Sequence, residues 1–299
     1  MDPRKNPYAP GAGVMPPAFA GREDLIEAAD IALDRRKAGL YANDIILLGL
    51  RGVGKTVLLN AIHGGAKAKD IATVKFEVPD GSGGHLARAM VPALNVVWSR
   101  LNRLRAAEGH LTRAAAALRN FAAIFKVKYE GFSFGATPAT ADAASGDLQA
   151  DLPELLMFVA AAARDRETCL ALFIDEIQYL TKDELSALAR ACHEAAQKGL
   201  PMILVGAGLP QIAALAGEAK SYAERLFQYP EVGALDRASA RRVLVEPAQR
   251  AGVCYEDTAL ERIVAQTEAY PYFLQTWGKF AWDEAAESPI TSCRATSWS

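Results

Sequence analysis

Apolar residues along this chain fall into two kinds of run. Short apolar blocks at 45–48, 71–78, 169–174 and 202–205 predict strands, and the block at 45–48 has no polar face at all. A fifth strand is expected near 226–232, where Pro230 interrupts the pattern. Longer stretches repeat their apolar residues with a helical period. They predict helices from 22 to about 38 (ended by Gly39), after residue 54, at 85–106 and 109–124, and from about 152 to 164. Another helix opens at Thr181-Lys182-Asp183-Glu184, a capping-box spelling. From 237 onward only helical patterns occur, at about 237–251, 257–267 and 271–287. Residues 125–130 alternate apolar and charged, predicting a short exposed strand, and 135–147 have the composition of a mobile loop. Strands alternating with helices, then helices alone, imply an α/β domain with a parallel sheet followed by a small helical domain. The expected division is a flexible Pro/Gly tail at 1–20, a core at 21–233 with an insert at about 82–150, a helical domain at 234–287 and a polar tail at 288–299.

The turn between the block 45–48 and the helix after it concentrates the chemistry. It reads Gly49-Leu50-Arg51-Gly52-Val53-Gly54-Lys55-Thr56, which matches G-x-x-x-x-G-K-[ST] at every fixed position. Glycines let the backbone wrap so that its N–H groups converge on an anion, and the following helix adds the positive end of its dipole. Gly49, Leu50, Arg51, Gly52, Val53, Gly54, Lys55, Thr56 and Val57 are therefore the candidate nucleotide-binding residues. Lys55 is placed to reach the β- and γ-phosphates of a nucleotide, and the Thr56 hydroxyl to ligate Mg²⁺. Far downstream, the apolar run Leu170-Ala171-Leu172-Phe173-Ile174 ends in Asp175-Glu176. In sheets of this class ligands bind beyond the carboxyl ends of the strands, so Asp175 is expected to hold Mg²⁺ opposite Thr56. Glu176 is left to orient and deprotonate the attacking water. Taken alone, the two acids could equally cap the next turn.

With these residues in view, "GLRGVGKT", "LFIDEIQYL" and the helical tail resemble the AAA+ ATPases, and more narrowly the archaeal-ATPase and origin-recognition-like group that borders the STAND signalling ATPases. The resemblance runs from about Phe19 to Glu287. It implies a P-loop NTPase fold, a three-layer parallel sheet followed by a small all-helical lid, and an ATPase that uses its nucleotide cycle to drive or gate a conformational or assembly switch. "AGRED" (20–24) resembles the stretch that packs on the adenine. "PMILVGAGLPQI" (201–212) resembles the sensor-1 strand, but Gly206-Ala207-Gly208 offers only backbone where many relatives carry a polar residue. "SYAERLF" (221–227) sits where an arginine finger is expected, making Arg225 the candidate to act on the γ-phosphate of a neighbouring subunit. "AYPYFLQTWG" (269–278) matches the lid helix but lacks the sensor-2 arginine.

Composition narrows the class further. The chain is 51% hydrophobic and 23% charged with net charge −2, which fits a soluble globular protein and argues against one that is basic overall. The four cysteines have neither the number nor the spacing of a disulfide framework or zinc site, so a reducing cytoplasm is the expected compartment. No apolar run is long enough to span a bilayer, and the proline-rich first twenty residues do not read as a signal peptide. Residues 98–128 carry Arg100, Arg103, Arg105, Arg113, Arg119, Lys126 and Lys128 against one acid, Glu108. That is a solvated helical surface or a docking surface for nucleic acid or an acidic protein partner. His63, His85, His110 and His193 lack metal spacing, and Trp98, Trp277 and Trp282 lie in apolar helical patterns that favour the core. A GTPase is disfavoured because Thr181-Lys182-Asp183-Glu184 ends in Glu and opens a helix. A small-molecule kinase usually lacks the Glu176 equivalent. The serious alternatives are a nucleotide-gated scaffold with negligible turnover and a DNA-associated loader. Relatives in this group often continue into a DNA-binding winged helix; this chain stops where one would begin, so either the protein is naturally short or the sequence is a piece of a longer one.

Overall fold

The computed structural model describes residues 1–81, 85–103, 110–125, 127, 145–219 and 223–285. The chain forms two compact units: Met1–Ile26, Gly49–Leu58 and Val232–Ser299 make one, and Glu27–Leu48 with Leu59–Glu231 make the other.

The second unit is built on a five-stranded sheet. Its strands are β1 (Asp44–Leu48), β2 (Ala72–Glu77), β3 (Leu170–Asp175), β4 (Met202–Gly208) and β5 (Phe227–Gln228). They run parallel in the order β2-β3-β4-β1-β5. Every residue of β1, β3 and β4 is buried, as the unbroken apolar blocks require of strands covered on both faces. The helices preceding the C-terminal part are α1 (Glu23–Lys37), α2 (Lys55–Ala68), α3 (His85–Arg103), α4 (His110–Ile124), α5 (Leu148–Arg164), α6 (Lys182–Gln197), α7 (Gln211–Ala219) and α8 (Ala223–Leu226). Met90, Leu94, Leu118, Phe121 and Leu156 from α3, α4 and α5 share one core with Leu172, Ile174 and Leu204 of the sheet.

Local chemistry sets the helix starts. The Thr181 hydroxyl accepts from Glu184 N (3.2 Å) while the Glu184 carboxylate accepts from Thr181 N (2.9 Å), completing the predicted capping box. The same buried carboxylate also accepts from Leu86 N (2.9 Å), so one side chain caps both α6 and α3. α5 starts ahead of the expected residue 152 because Asp147 accepts from Gln149 N (2.9 Å) and Asp151 accepts from Ser145 N and Gly146 N (both 2.8 Å). β4 runs on to Gly208, beyond the expected 202–205, and α7 follows it closely.

The other unit is helical at its C-terminal end: α9 (Arg237–Arg250), α10 (Asp257–Gln266) and α11 (Pro271–Glu284). Leu244, Leu260, Leu274 and Trp282 form its core together with Tyr8 and Ala20. The first twenty residues are thus a strap packed on helices, where a flexible tail was expected. Tyr8 is 5% exposed and its hydroxyl donates to Leu244 O (2.5 Å). Its ring lies so close to Gly278 that a Cβ there would come within 2.7 Å. Trp282 Nε1 donates to Asp2 O (3.0 Å), and Asn6 Nδ2 to Asp283 (2.8 Å). Trp98 and Trp282 pack in cores as expected, but Trp277 is 42% exposed on the other side of α11. Cys169 and Cys192 are free and buried, whereas Cys254 is disulfide-bonded, which the wide spacing did not suggest. Most of the strand expected at 125–130, most of the loop at 135–147 and the tail at 288–299 lie outside the described residues. Among the described residues no helix is long and apolar enough to cross a membrane.

Candidate active site

The glycine-rich loop leaves the end of β1 and enters α2 at Lys55. Gly49 is fixed by space: a Cβ there would lie 2.2 Å from Val232 O and 2.9 Å from Val53 Cγ2. Gly52 and Gly54 have φ of +83° and +91°, a region that L side chains rarely adopt, and successive turns of this kind gather backbone N–H groups around an anion. Leu58 N donates to Gly54 O (2.9 Å), beginning the helical bonding of α2 and leaving the first-turn amides outside it. Lys55 is 7% exposed, with Nζ donating to Leu50 O (2.9 Å). Thr56 and Val57 are half-buried in the first turn of α2, Val53 is buried, and Leu50 and Arg51 are exposed.

Three residues outside the loop hold its shape. The buried Arg22 guanidinium donates to Val53 O (3.3 Å), to Gly21 O (3.1 Å) and to Gly233 O. Tyr270 donates its hydroxyl to Arg51 O (2.5 Å), and Tyr272 N, in the first turn of α11, donates to Gly52 O (3.2 Å). The stretches "AGRED" and "AYPYF" had suggested roles here, but nothing local in them announced bonds to loop carbonyls.

In the sheet unit, Asp175 is the last residue of β3 and is 4% exposed. It stands one residue beyond the row Ile46–Gly206–Ile174 that runs across β1, β4 and β3. β3 and β1 therefore end on the same side of the sheet. Asp175 Oδ1 accepts from Glu176 N (3.0 Å), and Glu176 turns away in a left-handed conformation (φ +52°, ψ +38°). The Glu176 carboxylate accepts from Gln178 Nε2.

Arg225 lies elsewhere. It is exposed on α8, its carbonyl accepts from Asn43 Nδ2 (3.1 Å), and β5 after it pairs with Asp44 and Ile45 at the start of β1. Five residues of strand span about 13 Å, so Arg225 sits at the end of the sheet opposite the one where β1 and β3 terminate. Among the residues whose side chains are described, Glu231 included, none forms an ion pair with Arg225. Within the basic stretch 98–128, Arg100 pairs with Asp70 (2.9 Å) and Arg113 is exposed; the side chains of Arg103, Arg105, Lys126 and Lys128 lie outside the described set.

A search of the curated proteins finds no match. A family model described as the AAA ATPase domain matches residues 18–205. The chain belongs to the AAA ATPase domain family. Solved structures share the fold of this chain at low identity. A Walker-type ATPase of Pyrococcus abyssi is 15% identical with TM-score 0.54, over 90% of this chain and 69% of that one. Cdc6p of Pyrobaculum aerophilum is 17% identical with TM-score 0.56, over 95% and 66%. The ORC2 protein of Aeropyrum pernix in its ADP form is 14% identical with TM-score 0.55, over 92% and 65%. The chain thus spans about two thirds of the length of these proteins.

The residues present suit what such a fold implies. The Thr56 hydroxyl and Asp175 carboxylate are hard oxygen donors of the kind Mg²⁺ takes, and the positive-φ loop with Lys55 suits a polyphosphate.

Proposed function

We propose that this AAA ATPase binds ATP with Mg²⁺ through Gly49–Val57, hydrolyses it, and uses the cycle to gate a change of conformation or assembly. The observation that supports it most is the glycine loop at positive φ running from β1 into Lys55-Thr56, in a chain whose β3 ends in Asp175-Glu176 on the side of the sheet where β1 ends. Lys55 holds the β- and γ-phosphate oxygens, while Thr56 and Asp175 hold the metal. When bound, magnesium supplies neutralising charge at those oxygens. Glu176 accepts the proton of the attacking water.

Arg225 supplies a further cation in this reading, and it does so to a neighbouring copy. Its place at the amino end of the sheet, remote from the carboxyl ends of β1 and β3, argues against a role on its own chain's nucleotide. That makes a homo-oligomer part of the proposal. Arginines acting across an interface raise phosphoryl-transfer rates about 10³- to 10⁵-fold.

A second reading, a nucleotide-gated switch with negligible turnover, draws support from the Glu176 carboxylate being engaged by Gln178. The Glu176→Gln variant separates the two. An ATPase keeps ATP binding but loses turnover, because an amide cannot take the water's proton. A variant hydrolysing like the parent removes Glu176 from that role, and a parent that binds ATP without releasing phosphate favours the switch.

A further inference from the structure

β4 passes between β1 and β3 with Gly206-Ala207-Gly208 at its end, so no polar side chain from this strand is available to a ligand or to the acidic pair. The polar group found there comes from β3's own exit. Gln178 lies in the short 3₁₀ turn Ile177–Tyr179 and is 8% exposed, unusual for an amide side chain. Both ends of that amide are used. Nε2 donates to the Glu176 carboxylate, and Oε1 accepts from Leu209 N (3.1 Å), the first residue after β4. Room for this arrangement is made by Gly208: a Cβ there would come within 2.8 Å of Ile177 Cγ2 and 2.9 Å of Gln178 Oε1.

We propose that Gln178 is the positioning residue for Glu176, acting from β3's exit turn. This rests on the reading of Glu176 as the group that activates water. Glu176 has a left-handed backbone and a side chain with three rotatable bonds, so its carboxylate needs an external restraint to stay in one place. A hydrogen bond to an ionised carboxylate is among the stronger restraints available, and the donor here is itself buried and pinned at its other end. Because that other end is Leu209 N, a displacement of the β4 terminus reaches Glu176 through a single side chain. Misplacement by about 1 Å costs on the order of 10²-fold in rate. Gln178 touches neither the nucleotide nor the water in this scheme; it acts through Glu176.

The test is a double-mutant cycle in steady-state hydrolysis of radiolabelled ATP, with ATP affinity and thermal melting measured alongside. Gln178→Met keeps length and removes the amide. Gln178→Glu keeps an acceptor for Leu209 N but sets a second carboxylate against Glu176, and it carries the test if the Met variant does not fold. Gly208→Ala crowds the same amide from the other side. Each is expected to lower kcat about 10- to 100-fold with KM for ATP within about twofold of the parent. In a Glu176→Gln background, whose residual rate is slow but measurable, none should lower the rate further. Parent-like kcat in the folded Gln178 variants, or an equal proportional loss in both backgrounds, overturns the positioning role while leaving Glu176 in place. Parent-like hydrolysis by Glu176→Gln overturns the reading of Glu176 and this proposal with it.

Discussion

Asp44 opens β1, the strand that delivers the glycine loop, and it is 1% exposed. Burial pushes its carboxyl up from the ordinary 3.8 to about 6, although nearby Arg36, Leu204 N and the Cys192 thiol all favour the charged form. Leu204 N donates to Asp44 Oδ1 at 2.7 Å. Between those two values the unfolded chain has released the proton and the native chain still holds it. Stability therefore falls as pH rises from about 3.8 to about 6 and stays reduced above that. The full loss is about 3 kcal/mol, and roughly half of it falls between pH about 5 and pH about 7.5. Asp44→Asn keeps an acceptor for Leu204 N and abolishes the titration. Its absolute stability also reflects Arg36 losing a charged neighbour, so the informative quantity is the change with pH. Urea unfolding at those two pH values should show the Asn variant gaining roughly 1–2 kcal/mol relative to the parent on going to the higher pH. A difference between variant and parent that is flat with pH, or that moves the other way, would refute the burial argument.

Tyr270→Phe removes the bond to Arg51 O, and should cost about 0.5–1.5 kcal/mol in stability and weaken ATP binding severalfold by calorimetric titration; unchanged affinity means the loop does not depend on this hydroxyl. Glu184→Ala strips caps from both α3 and α6, with an expected loss of about 2–4 kcal/mol in urea unfolding, larger than one cap is worth; a loss under about 0.5 kcal/mol contradicts the shared-cap reading. Arg225→Ala and Glu176→Gln proteins, each strongly impaired alone, should regain part of the phosphate release when mixed, since a mixed interface pairs an intact Arg225 with an intact Glu176. A mixture that assembles and stays inactive rules out the role across an interface.

Features whose requirements are local were legible in the sequence. The blocks at 45–48 and 169–174 read as buried strands because they carry no polar face, and the glycines between β1 and α2 read as a turn, which the positive φ of Gly52 and Gly54 matches. What stayed hidden depends on partners distant in sequence. Proline-rich residues 1–20 look like a tail until Tyr8 meets Leu244 and Trp282 meets Asp2. Helical periodicity placed Trp277 and Trp282 alike, but α11 also carries Tyr272, Phe273 and Phe280 exposed, so apolar residues lie on more than one face and the period cannot say which face turns inward. Arg100 read as part of a basic face, and Asp70, 30 residues away, answers its charge. Arg22 and Gln178 are ordinary polar residues in sequence; only the fold brings loop carbonyls to one and Glu176 with Leu209 to the other.

The central claim, a magnesium-dependent ATPase built on the Gly49–Val57 loop, is tested most directly by phosphate release from ATP. The parent protein is compared with Lys55→Ala, each with Mg²⁺ and with excess chelator. The account predicts release by the parent in Mg²⁺ only, and neither ATP binding nor release by Lys55→Ala, because the loop loses the side chain that reaches the β- and γ-phosphates. Lys55→Ala protein that binds ATP and releases phosphate like the parent would contradict it.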